Sequence, residues 1–102
     1  MMKRSTDGGE EKIYIDRIRR MVLDFLADTS ARVYLFGSWA RGMQRRGSDV
    51  DVAVDGGNAD KIGALKELLE ESTIPYRVDV VDMRFASESL RREIRKDGIP
   101  WK

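Results

Sequence analysis

Ser48-Asp49-Val50-Asp51-Val52-Ala53-Val54 alternates acidic and aliphatic side chains until Gly56-Gly57-Asn58 breaks the run. Read as a strand, it puts Asp49 and Asp51 on one face and Val50, Val52 and Val54 on the other, because successive side chains of a pleated chain point to opposite sides. Carboxylates suit neither burial nor strand propensity. A second apolar run, Arg77-Val78-Asp79-Val80-Val81, holds another. Side chains at i and i+2 on a strand stand roughly 6.5–7 Å apart at their Cα atoms, near enough to converge on one cation or a pair. Without a cation, their repulsion would raise at least one pKa. Asp79, from a neighbouring strand, can complete the cluster. An Asp-x-Asp pair alone is equally compatible with a plain solvated strand face, so its surroundings decide.

The preceding strand is Ala31 to Phe36, short, apolar and rich in β-branched and aromatic residues. It ends at Gly37-Ser38. Glycine permits a sharp turn and a close approach of backbone to a phosphate. Ser38 offers a hydroxyl and caps an expected short helical turn through Ala40 and Arg41, stopped by Gly42. The free N–H groups of such a turn suit anionic oxygens. Arg41, one turn later, can reach a triphosphate. A strand exit with a helix cap would use the same residues. The P-loop pattern is not matched, since no Gly-Lys-Ser/Thr follows.

Outside this core, Ile18, Met21, Val22 and Phe25 follow the three-four spacing of a helix. Residues Asp60 to Glu71 form a second amphipathic pattern, with Ile62, Leu65, Leu68 and Leu69 as its expected buried face. Tyr76 to Val81 is the third strand, and Ser87 to Lys96 a last helix with Leu90 and Ile94 inward. Gly98-Ile99-Pro100-Trp101 gives a turn and a final anchor. The order predicts an α/β (α+β) fold, a small mixed sheet with helices packed mainly on one face. The acidic face then stays open near the three aspartates. Residues 1–9 are expected to be a flexible polar tail, and 10–102 one domain.

Composition narrows the chemistry. The 102-residue chain has no cysteine and no histidine. Disulfides, thiol nucleophiles, a Ser-His-Asp triad and an imidazole base are therefore ruled out. Zinc loses its usual ligands. Oxygen ligands suit magnesium or manganese. The formal charge of +1 disfavours a protein held to nucleic acid by phosphate contacts. No run approaches the ~20 apolar residues of a membrane span. Met1 to Gly9 lacks a hydrophobic signal segment, so a cytoplasmic location is expected. An exposed edge strand would permit self-association.

Gly37-Ser38, then the ten residues Trp39 through Ser48, then Asp49-Val50-Asp51 resembles the signature of the minimal nucleotidyltransferases of the polymerase-beta-like superfamily. Asp79 is similar in placement to that family's third carboxylate. The ending Ile94-Arg95-Lys96-Asp97-Gly98-Ile99 also resembles its C-terminal segment. The resemblance implies transfer of a nucleoside monophosphate from a triphosphate, with Asp49, Asp51 and Asp79 as Mg2+ (or Mn2+) ligands. It implies Gly37 and Ser38 as the phosphate-binding turn, with Arg41 and Ser48 as further nucleotide-binding candidates. Small stand-alone members resemble the antitoxin of a two-protein pair. The implied partner is a HEPN-type toxin, silenced by transfer of AMP from ATP onto a tyrosine. Two alternatives stay open: a nucleotide-binding antitoxin that acts by complex formation alone, and transfer to RNA or a small molecule. Trp39, Met43, Trp101, Tyr14 and Tyr34 are candidate partner contacts or core residues. Arg45 and Arg46 are a steering pair or a solvated loop.

Overall fold

The acid–aliphatic run becomes one of two inner strands of a four-stranded sheet. The computed structural model describes residues 2–45 and 47–102. Its helices are α1 (Met2–Phe25), α2 (Ala59–Glu70) and α3 (Glu88–Asp97). Its strands are β1 (Arg32–Phe36), β2 (Val50–Asp55), β3 (Val78–Asp82) and β4 (Ile99–Pro100), in the spatial order β3-β2-β1-β4. β1 lies antiparallel to both β2 and β4, whereas β2 and β3 are parallel. A parallel pair needs a crossover, and α2 supplies it.

The alternation in the sequence sets the two faces. Val33, Leu35, Val50, Val52, Val54 and Val80 pack with Ile18, Val22 and Leu26 of α1 and Ile62, Leu65 and Leu69 of α2. Each such side chain, fully buried, contributes roughly 1.5–3 kcal/mol. On the opposite face a smaller cluster joins Phe36, Ala53, Met83 and Ile94. There α3 covers Ala53 and leaves the end of the sheet that carries Asp51 open. Helices α1 and α2 thus pack on one face, with α3 and the short turn of helix at Met83–Phe85 on the other.

Local signals fix the helix ends. Asn58 caps α2, its Oδ1 accepting from the Lys61 amide at 2.8 Å. Ser87 caps α3, its hydroxyl oxygen accepting from the Leu90 amide at 3.1 Å. At the other terminus, the Trp101 amide donates to the Val33 carbonyl at 2.7 Å, and Trp101 is buried. Lys102 Nζ donates to the Leu26 and Thr29 carbonyls at 2.7 and 2.6 Å, just beyond the C-terminus of α1.

Four expectations need correction. Helix α1 begins at Met2, so the backbone of 2–9, expected as a tail, is helical. The glycine pair at 8 and 9 lowers helix propensity without interrupting it. The short helix after Ser38 is a hydrogen-bonded turn, because Gly37 and Gly42 at its ends have φ of +77° and +69°, outside the helical region. Leu68 sits at the edge of the buried face of α2 and is 38 % exposed. The terminal segment adds a strand, β4, and not only a turn. Among the described residues, no helix is long and apolar enough to cross a membrane.

Candidate active site

Gly37 closes β1 with its φ in the left-handed region, which side chains disfavour. A Cβ at Gly37 would also collide with the Asp51 carboxylate. Two independent constraints therefore require glycine here, and the second places the backbone against the acid. Beyond it, the Arg41 amide donates to Gly37 O at 3.2 Å, Gly42 to Trp39 O at 3.4 Å and Met43 to Ser38 O at 2.8 Å. Among the described residues, the amides of Ser38, Trp39 and Ala40 are left without an internal partner. They are the turn's open donors.

The loop that returns to β2 is fastened at two points. The Trp39 indole N–H donates to the Ser48 carbonyl at 3.3 Å. Its ring meets Tyr76 edge-on at 5.3 Å, and Tyr76 meets Tyr14 in the same manner at 5.7 Å. Trp39, Tyr14 and Trp101 are thus packing residues, while Met43 is 67 % exposed. The Ser48 hydroxyl accepts from the Arg45 amide at 2.8 Å, and the Ser48 amide donates back to Arg45 O at 2.9 Å. Ser48, a candidate for nucleotide contact, serves here as the clasp of the loop. Arg46 lies outside the described residues.

Register brings the acids together. Asp51 stands opposite Asp79 across the parallel β2–β3 pair and opposite Phe36 across β1–β2. Neighbouring strands lie ~4.8 Å apart, so the two carboxylates share one patch of surface. Asp49 precedes β2 by one residue; it and Asp79 are exposed, while Asp51 is half-buried. Burial pushes the Asp51 carboxyl up to about 6, aided by the charges of Asp79, Asp49 and Glu93 and opposed by Arg41. Desolvation is the leading cause, so Asp51 is the inner member of the set. Among the described residues, no three acids are gathered closely enough to form a closed metal centre.

Glu93 was not foreseen. It reaches the site from α3, where its Oε2 lies 3.5 Å from Arg41 Nη1. Ile94 at the next position faces inward, as its spacing with Leu90 predicts, but spacing cannot show which strand end a helix covers. Beside Asp79, a surface groove of about 530 Å³ runs between β3 and α2, bordered by Lys66, Leu69, Ile74, Tyr76 and Arg77.

Asp49 just before β2, Asp51 on it, a third acid in register on β3 and a glycine turn with open amides meet at one end of the sheet. Comparison with known proteins agrees with this geometry. The family described as Polymerase beta, Nucleotidyltransferase matches residues 27–100. The chain is 38 % identical over 68 residues to the protein adenylyltransferase MntA of Shewanella oneidensis strain MR-1, a stretch covering 65 % of this chain. It spans about half (49 %) of that relative's length. Its fold is similar to a chain of a solved toxin–antitoxin complex with AMP-PNP, with a TM-score of 0.67, 30 % identity, and coverage of 82 % and 72 % of the two chains. It is also similar to a chain in the complex of a tri-AMPylated Shewanella oneidensis HEPN toxin with an MNT antitoxin, at a TM-score of 0.62, 25 % identity, and coverage of 85 % and 71 %. With the match spanning both the glycine turn and all three aspartates, the chain belongs to the Polymerase beta nucleotidyltransferase family.

Proposed function

We propose that this chain transfers AMP from ATP to a tyrosine hydroxyl of a HEPN-type toxin and thereby acts as its antitoxin. The observation that carries the reading is the register of Asp51 with Asp79, set directly against the Gly37 turn. The open amides of Ser38, Trp39 and Ala40 receive phosphate oxygens, as successive backbone N–H groups of a turn do. Arg41 adds a planar cationic donor. Asp49, Asp51 and Asp79 would hold Mg2+, since an all-oxygen donor set suits a hard cation. When bound, such ions neutralise the charge that develops on the attacking and leaving oxygens.

In the transfer, the acceptor oxygen bonds to the α-phosphorus. The bond from that phosphorus to the oxygen bridging to the β-phosphate breaks, and pyrophosphate leaves. The hydroxyl proton passes to the carboxylate of Asp79, which is exposed on the edge strand β3. The Gly37 turn holds the phosphates in place, so the chain contributes mostly positioning.

The name of the MntA relative, the AMP-PNP in one similar complex and the AMPylated toxin in another support this choice of nucleotide and acceptor. Complex formation without transfer is the competing reading, and one experiment separates them. The chain is co-expressed with a HEPN toxin, intact and with Asp49→Asn and Asp51→Asn together. Transfer predicts that the variant still accumulates but no longer protects the cells. Full protection by the variant would assign the function to binding alone.

A further inference from the structure

One ion pair ties the phosphate turn to α3. Arg41 Nη1 and Glu93 Oε2 are 3.5 Å apart, across 52 positions of sequence. Their side chains are 41 % and 44 % exposed. Exposed pairs of this kind add little to stability, so the fold does not explain its presence. Both ends are anchored through the backbone. Arg41 is bonded to Gly37 through its amide, while Glu93 precedes the fully buried Ile94 on the capped helix α3.

The contact is also incomplete. A guanidinium carries five N–H donors in a planar fork. Glu93 engages only Nη1, and among the described residues Nε and Nη2 have no partner. The Arg41 amide is bonded to Gly37 O, and the Gly37 backbone lies against the Asp51 carboxylate, so the pair stands at the acidic end of the sheet.

We propose that Glu93 is a positioning residue: it holds one edge of the Arg41 guanidinium so that the other edge faces the phosphate oxygens of the incoming nucleotide. This rests on the nucleotide-transfer reading above. It also makes a prediction opposite in sign to simple charge. A carboxylate near a triphosphate repels it, so removing that carboxylate should tighten binding. A carboxylate that positions the arginine should weaken binding when it is removed.

The test is calorimetric titration with ATP and Mg2+ of the intact chain, Glu93→Gln, Arg41→Gln and the double variant. Glu93→Gln is expected to raise Kd about 3- to 10-fold, the loss of one screened charge-assisted contact. Arg41→Gln is expected to raise it at least as much, and the double variant no further than Arg41→Gln alone. Thermal melting should be unchanged in all four, which separates positioning from folding. Equal or tighter binding by Glu93→Gln, or a full additive loss in the double variant, overturns the assignment. If the intact chain itself binds no ATP with Mg2+, the transfer reading falls and takes this one with it. If the intact chain binds and Glu93→Gln matches it, only the role of Glu93 falls.

Discussion

Replacing Asp51 with asparagine should stabilise the fold while abolishing transfer. The Asp51 carboxyl is raised from 3.8 to about 6 by burial and by the neighbouring acids. The folded protein therefore binds this proton more tightly than the unfolded chain does. Below about pH 4 both states are protonated and the group costs nothing. As pH rises towards 6 the unfolded chain has ionised and the folded one resists, so stability falls. Above 6 the full cost is present. Two pKa units correspond to about 3 kcal/mol in a fully shielded site. Asp51 is only half-buried, and solvent screening reduces this to about 1–2 kcal/mol. Urea unfolding of both proteins from pH 4 to 8 measures it. Asp51→Asn should be the more stable by that amount at pH 7–8, with the gap closing near pH 4. Adding Mg2+ at pH 7 should stabilise the parent, because binding to the folded state alone shifts the equilibrium, and leave the variant nearly unmoved. A variant less stable than its parent at pH 7, or a gap that ignores pH, would refute the reasoning.

Four further substitutions probe the turn and α3. Gly37→Ala meets both an unfavourable φ and the Asp51 carboxylate, so nucleotide binding should be lost and melting lowered. Gly42→Ala, at a similar φ but in open space, should cost only ~1–2 kcal/mol and keep nucleotide affinity; calorimetry on the two variants distinguishes them. Ile94→Ala should cost about 2–5 kcal/mol in denaturant unfolding, since Ile94 is fully buried under the second face; a loss below ~1 kcal/mol would contradict the packing of α3. Ser87→Ala should cost ~1 kcal/mol by removing the cap on the Leu90 amide, read as a shift of the urea midpoint at constant slope.

The parts legible from sequence are those governed by period and by glycine. Alternation from Asp49 to Val54 gave an inner strand and its two faces, because one face is buried and a slip would invert it. Gly37 stood out as the turn that ends a strand, and the structure adds the Asp51 carboxylate as a second reason for glycine there. Helices α2 and α3 followed from their apolar spacing, while their caps, Asn58 and Ser87, emerge only in the structure. What escaped notice depends on tertiary placement. Strand β4 is only two exposed residues, one of them proline, and exists because Trp101 anchors the chain beside β1. Glu93 looked like any charge on an exposed helix until α3 was placed over Ala53. The Ser48 hydroxyl accepts from the Arg45 amide, a local clasp that its sequence context does not announce and that leaves its O–H able to donate. Trp39 could equally have been an exposed anchor, and its contact with Tyr76, distant in sequence, fixed its role.

The most direct test of the central claim is the intact mass of a purified HEPN partner after incubation with this chain, ATP and Mg2+. The account predicts added AMP on a tyrosine of the partner, absent when Asp79 is replaced by asparagine in a protein that still binds ATP. A partner that stays unmodified while the intact chain binds ATP, or one modified equally well by Asp79→Asn, would contradict it.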